Sequence, residues 1–229
     1  MKIRVIEPKA EILSITTDAL AHLELAGRTC YKSEASITNG SAEKFVRMIC
    51  RNHHESVLEH ASMTARVTCS RACSHQLVRH RIGAYSQESQ RYVNYRKKGY
   101  EVIAPPYFGV DPGTYPLSPG YEGMEPDFDT GNYHGRAVRF LVGMAEAFHA
   151  YEEAMEIGPI KARPEDARYF LPNAAKTEVV VTYNFRTWRH VFRERALNDH
   201  AQWEIRGIMR DLLDKVLATE FIPVFGDLL

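Results

Sequence analysis

The chain has 229 residues, 45% hydrophobic and 25% charged, which suits one large domain or two small ones and excludes a disordered or coiled-coil protein. Lysine plus arginine (29) balances aspartate plus glutamate (29), so no overall field draws the chain to nucleic acid or an anionic membrane, and any basic function must be local. No apolar run approaches the roughly 20 residues of a membrane span and the start, Met1-Lys2-Ile3-Arg4-Val5, lacks a signal-peptide block, so a cytoplasmic location is expected.

Lys2-Ile3-Arg4-Val5-Ile6 alternates like a half-buried strand, and Pro8 stops it. Asp18 to Tyr31 and Ser41 to His53 carry apolar residues at helical spacing, with Ser41 and Glu43 suited to a helix start. Ser62 to Ser70 alternates again, and Arg71 to Arg81 reads as a helix that Gly83 ends. Arg91 to Tyr95 is a short aromatic strand candidate. Residues 105–135 hold six of the 11 prolines and six of the 14 glycines, so a long loop is expected, either a lid or interface arm or a flexible surface insertion. Gly135 to Met155 sets Val138, Leu141, Val142, Ala145 and Phe148 on one helical stripe. Pro164-Glu165-Asp166 resembles a helix first turn, closed by Leu171-Pro172-Asn173. Thr177 to Tyr183 is the strongest strand pattern and runs straight into a helix over Arg186 to Ala196. Asp199 with Gln202 resembles a capping box for a last helix, Ala201 to Thr219. Strands separated by helices without regular alternation indicate an α+β fold, and neither a Rossmann nor a P-loop glycine pattern is present.

Three polar clusters carry candidate chemistry. Between residues 71 and 100, seven basic residues face one acid, Glu88, which makes the stretch around Gln76, Arg79, His80, Arg81, Ser89 and Arg91 an anion-site candidate or a solvated basic surface. On a helix, Arg79, His80 and Arg81 would fan across about 200° and could not all meet one ligand, whereas Gln76, Arg79, His80 and Gly83 would share a face. The second cluster, Asn184, Arg186, Arg189, His190, Arg193 and Arg195, follows the strong strand, at a strand-to-helix junction of the kind that attracts anions; Arg189 and Arg193 are expected only to line a wet face. Arg168, close to Glu165 and Asp166, is a ligand contact or a plain salt-bridge partner. The third, His53 to His60, fails both zinc spacings, because Leu58 and Ser56 stand where those motifs need other residues, and no metal is expected. The four cysteines, Cys30, Cys50, Cys69 and Cys73, are expected to be buried, unbridged thiols.

Arg79-His80-Arg81, seven residues and then Ser89 match the R-H-R-x7-S pattern of the flavin-dependent thymidylate synthases. The neighbours agree: H-E-S-V-L-E-H at His54 to His60, S-Q-E-S-Q-R-Y at Ser86 to Tyr92, A-R-Y-F-L-P at Ala167 to Pro172, N-F-R at Asn184 to Arg186 and D-H-A-Q-W-E-I at Asp199 to Ile205. The chain therefore resembles that family over nearly its whole length.

The resemblance implies a single domain over 1–229 with the thymidylate synthase-complementing fold, a mainly antiparallel sheet with flanking helices. It implies a homotetramer with active sites at subunit interfaces. The implied reaction converts dUMP to dTMP, with 5,10-methylenetetrahydrofolate as carbon donor and NADPH-reduced FAD as hydride source, releasing tetrahydrofolate. By the same resemblance, His54, Ser56, Arg79, His80, Arg81, Gln87, Asn184, Arg186 and His190 contact FAD. Gln76, Arg79, Gln87, Ser89, Gln90, Arg91, Arg168 and Arg195 contact dUMP, and Arg195 acts on the uracil ring. Gln87 and His190 stand where relatives can carry Glu and Asn, and nothing carries over to the 105–135 loop. Ser89 is assigned to binding, since no base can be placed beside it from sequence. The rival readings are a single-strand RNA or DNA binder stacking bases on Tyr85, Tyr92 and Tyr95, which zero net charge disfavours, and a metal-dependent nucleotide hydrolase.

Overall fold

The structure, a computed structural model, describes residues 1–116, 133–157 and 159–229. In chain order it contains strands β1 (Lys2–Val5) and β2 (Lys9–Ile15), helices α1 (Ala19–Thr29) and α2 (Ser41–Arg51), β3 (Ser62–Ser70), α3 (Arg71–Leu77), β4 (Ala84–Gln87) and α4 (Tyr95–Lys98). β5 (Tyr100–Val102), β6 (Gly113–Pro116), α5 (Tyr133–Glu156), α6 (Pro164–Ala167), β7 (Lys176–Asn184), α7 (Phe185–Phe192), α8 (Trp203–Leu217) and α9 (Ile222–Phe225) follow. The fold class is α+β, as the strand and helix order predicts, and its sheets are rich in antiparallel pairing.

The described residues form two compact units. The first comprises Met1–Pro8, Thr68–His75 and Gln87–Glu178. Its sheet has the order β5-β1-β6, with β1 parallel to β5 and antiparallel to β6. Alternation in β1 buries Ile3 and Val5 against Val102, Phe148 and Tyr151, and Tyr100 stacks on Phe148 with ring centroids 4.5 Å apart. The long helix α5 supplies Leu141, Ala145 and Phe148 of the predicted stripe to that core, together with Phe140 and Tyr151, whereas Val138 and Val142 of the stripe are only partly buried and lie outside it.

The second unit comprises Lys9–Val67, Gln76–Ser86 and Val179–Leu229, and holds the larger part of a sheet ordered β2-β3-β7-β4. In β7 the burial alternates without a break, so Val179, Val181 and Tyr183 face one core. α7 continues that core with Phe185, Trp188 and Phe192, and the Trp188 indole donates to the Met63 carbonyl at 2.8 Å, which ties α7 to β3.

Several expectations are corrected. The helix predicted over 71–81 stops at Leu77, so Arg79, His80 and Arg81 lie in a turn and the helical-face argument for them does not apply. Residues 91–95 form a turn that leads into α4, because Tyr92 and Val93 both donate to the Ser89 carbonyl (3.1 and 2.9 Å) instead of to a neighbouring strand. The Pro/Gly-rich stretch contains β6, paired to β1, and α5 begins before Gly135; residues 117–132 of that predicted loop lie outside the described residues. Asp199 does not cap α8 but pairs with Arg206 at 2.6 Å, while the Gln202 side chain accepts the Glu204 and Ile205 N–H groups. All four cysteines are thiols, three buried, but Cys30 is exposed.

Candidate active site

The R-H-R residues sit in the turn between α3 and β4, and two tyrosines determine its shape. The Tyr85 and Tyr183 hydroxyls, 2.6 Å apart, lie against the carbonyl oxygens of His80 and Leu77. These bonds take the carbonyls that a longer α3 would have used. Gly83 is required beside them: a Cβ there would stand 2.2 Å from the Tyr183 ring and 2.9 Å from the Thr182 carbonyl oxygen. Held this way, the turn exposes Arg79 and Arg81, neither of which has a carboxylate partner among the described residues.

His80 is turned inward. Arg195 Nε donates to His80 Nε2 at 3.0 Å, so that nitrogen is unprotonated and the neutral ring carries its proton on Nδ1. Burial, the Arg195 charge and the nearby His190 push the His80 pKa down to about 4, which keeps the acceptor neutral at physiological pH. The two imidazoles meet edge to face with centroids 5.6 Å apart.

From the facing side, β7 runs into α7 at Asn184, whose side chain caps the helix by accepting the Thr187 N–H at 2.8 Å. Arg186 follows in the first turn and pairs with Glu59 at 2.5 Å. A cavity of about 670 Å³ lies between these parts, within the size range of small-molecule and cofactor sites. Arg79, His80, Arg81, Asn184, Arg186 and His190 all line it, so the structure brings together six of the nine residues expected to contact the flavin. Arg193, Glu55 and Glu59 line it as well.

His54 and Ser56 line an adjoining 650 Å³ cavity that shares Glu55 and Arg186 with the first. The end of α2 orients them. His53 takes a left-handed conformation (φ 55), donating to the Cys50 carbonyl while His54 donates to that of Ile49, a Schellman closure made without glycine. Phe45, Met48, Ile49 and Val57 make this cavity more apolar than its neighbour. No group of three His, Cys, Asp or Glu among the described residues is placed to hold a metal ion.

The wet-face expectation for Arg189 is overturned. Its side chain is 0% exposed, donating through Nε to Glu55 at 3.1 Å and through both terminal nitrogens to Asp227 at 2.6 and 2.7 Å. Three contributors to this region, Glu55, Arg189 and Asp227, were not singled out as site residues from sequence. Glu55 lay in plain view within the H-E-S-V-L-E-H segment, but no local pattern announces that Asp227 returns to Arg189.

The remaining candidates lie in the first unit, apart from Gln76 and Arg195 of the second. Gln76 reaches the α8-capping Gln202 at 3.4 Å. The Gln87 amide nitrogen faces inward, donating to Ser74 Oγ at 2.9 Å and Thr177 Oγ1 at 3.3 Å. Ser89 Oγ accepts the Arg91 N–H at 3.3 Å and so closes its own turn, which also carries the partly buried Gln90. Arg91 and Arg168 converge on one residue: Arg91 pairs with the Glu165 carboxylate at 3.3 Å, and Arg168 Nε donates to the Glu165 carbonyl at 3.0 Å.

Fold and site together define an α+β protein with an arginine-rich cavity suited to a nucleotide-like anion. A family model for the thymidylate synthase complementing protein matches residues 11–223. The flavin-dependent thymidylate synthase of Geobacter sulfurreducens is 36% identical over 90% of this chain and 80% of its own, and that of Mycolicibacterium gilvum 39% over 93% and 82%. The chain belongs to the flavin-dependent thymidylate synthases, a family of enzymes. Its fold is similar to a crystal structure of thymidylate synthase X from Helicobacter pylori with FAD and dUMP (TM-score 0.70, 21% identity, 96% of this chain and 98% of that one). It is also similar to a UMP/dUMP methylase from Streptomyces cacaoi bound with 5-Br dUMP (TM-score 0.74, 22% identity, 98% and 95%).

Proposed function

We propose that this chain, working as one domain over 1–229, converts dUMP to dTMP by reductive methylation, with 5,10-methylenetetrahydrofolate as carbon donor and NADPH-reduced FAD as hydride source, releasing tetrahydrofolate. The observation that carries the reading is Arg195 held on neutral His80 beside a cavity edged by Arg79 and Arg81, which have no carboxylate partner among the described residues. The lining fits FAD: Arg79, Arg81 and Arg186 suit a diphosphate, and the more apolar neighbouring cavity suits a flat ring system. FAD bound there supplies the hydride chemistry.

The protein's own residues do the binding and orienting. His80 takes the Arg195 Nε–H, which leaves the terminal nitrogens to donate to a pyrimidine oxygen while the guanidinium stays protonated. Arg91 and Arg168 hold the monophosphate, which takes the place of the Glu165 contacts seen here. Ser89 shapes its turn and binds substrate; no histidine or carboxylate bonds its hydroxyl among the described residues, which supports binding rather than nucleophilic attack. Gln87, anchored by Ser74 and Thr177, keeps its amide oxygen for ligand. The enzyme acts as a cytoplasmic homotetramer with sites completed by neighbouring protomers; among the described residues no helix is long and apolar enough to cross a membrane. Purified protein is expected to be yellow with FAD and to bleach when NADPH is added without oxygen. Protein that stays colourless with added FAD would contradict the proposal.

A further inference from the structure

The network around Arg189 is the part of the second unit that the proposed chemistry does not use. A buried guanidinium is costly unless its charge and its N–H groups are matched. Here they are: Asp227 grips the two terminal nitrogens, the Val224 carbonyl accepts a further bond, and Glu55 Oε1 takes Nε at 3.1 Å. The same Glu55 oxygen accepts Arg193 Nη2, also at 3.1 Å. Two cations and two anions thus balance, and the attraction of both arginines holds the Glu55 carboxyl below its ordinary range despite burial.

What the network touches gives it a use. Glu55 stands between His54 and Ser56 and lines both cavities. Arg193 lines the larger cavity and opens the π-turn Arg193–Leu197, which carries Arg195. Asp227 follows α9, where the chain closes over Cys50: the Cys50 thiol donates to the Val224 carbonyl at 3.6 Å. The C-terminal segment therefore bonds directly to the residue that orients one wall of the cofactor cavity.

We propose that Arg189 is a positioning residue which, clamped by Asp227, holds Glu55 and through it Arg193 in place, so that the segment 222–227 sets how tightly the cavity retains FAD. The proposal rests on the flavin reading. Loss of the Asp227 charge leaves Arg189 to draw harder on Glu55, and Arg193 loses its share of that oxygen.

The test is FAD affinity, followed by flavin fluorescence, in the full-length protein and in Asp227→Asn, a half-exposed position whose replacement keeps the shape. The expected result is roughly fivefold weaker FAD binding with the circular dichroism spectrum retained. Asp227→Glu, which restores the charge, should recover much of the affinity, as a purely steric role would not predict. Asp227→Asn combined with Glu55→Gln should weaken binding by less than the product of the single effects. Arg189→Lys, which loses the fork but keeps the charge, reads the same quantity should Asp227→Asn not fold. FAD affinity equal to wild type in folded Asp227→Asn or Arg189→Lys would overturn the proposal. Wild-type protein that takes up no FAD would instead overturn the flavin reading itself.

Discussion

The two sets of candidate arginines are organised in opposite ways. Around the 670 Å³ cavity, Arg195 is already held by an uncharged partner, His80, and Arg79 and Arg81 face no carboxylate among the described residues. In the first unit, Arg91 pairs with the Glu165 carboxylate, so its charge is partly answered before any ligand arrives, while Arg168 rests on the backbone carbonyl of the same residue. A neutral acceptor orients a guanidinium without using up its charge, whereas a carboxylate competes with the incoming anion. The first arrangement suits a group that must act on a ring in one geometry, and the second suits reversible capture of a phosphate.

The largest expected effect breaks the first arrangement. Arg195→Ala should lower dTMP formation roughly 100- to 1,000-fold, the usual cost of deleting one oriented donor to a developing charge, while FAD is retained. Turnover like wild type would remove Arg195 from the mechanism. Next comes the turn that presents His80: Gly83→Ala puts a methyl group into the Tyr183 ring and should cost about 1–3 kcal/mol by overpacking, read as a lower Tm in thermal unfolding. An unchanged Tm would mean that the tyrosine brace yields without strain. A smaller effect probes the other set. Glu165→Gln should lower the KM for dUMP by about two- to fivefold at low salt, the scale of an exposed ion pair. An unchanged or raised KM would show that Glu165 does not compete with the phosphate.

The smallest effect is on acid stability. The unfolded His80 titrates near 6.5 and the folded one near 4, so between these values only the unfolded chain holds the proton. Stability is therefore complete above pH 6.5 and declines as pH falls toward 4; half exposed and screened, His80 contributes only a modest share. Glu55 and Asp227, both lowered by Arg189, add losses at still lower pH. Denaturant midpoints measured across pH 4–7 should fall less steeply in His80→Gln, and parallel curves for both proteins would remove His80 from the pH dependence.

Much of this was legible in the sequence. β1 and β7 alternate because one face of each is buried, β3 does so up to Val67 before both faces become buried, and the apolar spacing of α5 marks a helix although Val138 and Val142 stay outside its core. β2 was missed because its burial does not alternate, and β4 because it is four residues long, Ala84–Gln87, with none of them buried to set an apolar period. Charge clustering and the strand-to-helix junction picked out Arg79, His80, Arg81, Asn184, Arg186 and His190, but which ligand they contact came only from the resemblance, since a turn has no periodicity to read. Arg189 was misjudged for a related reason: spacing of Arg189 and Arg193 shows that they are neighbours on a helix, but not that a C-terminal aspartate 38 residues away closes over one of them.

The most direct test of the central claim is an assay of dTMP formed from dUMP with FAD, NADPH and 5,10-methylenetetrahydrofolate, each omitted in turn. Product should form only with all of them present, and tetrahydrofolate should accumulate with dTMP one for one. Formation of dTMP at full rate by flavin-free protein, or dihydrofolate as the folate product, would contradict the account.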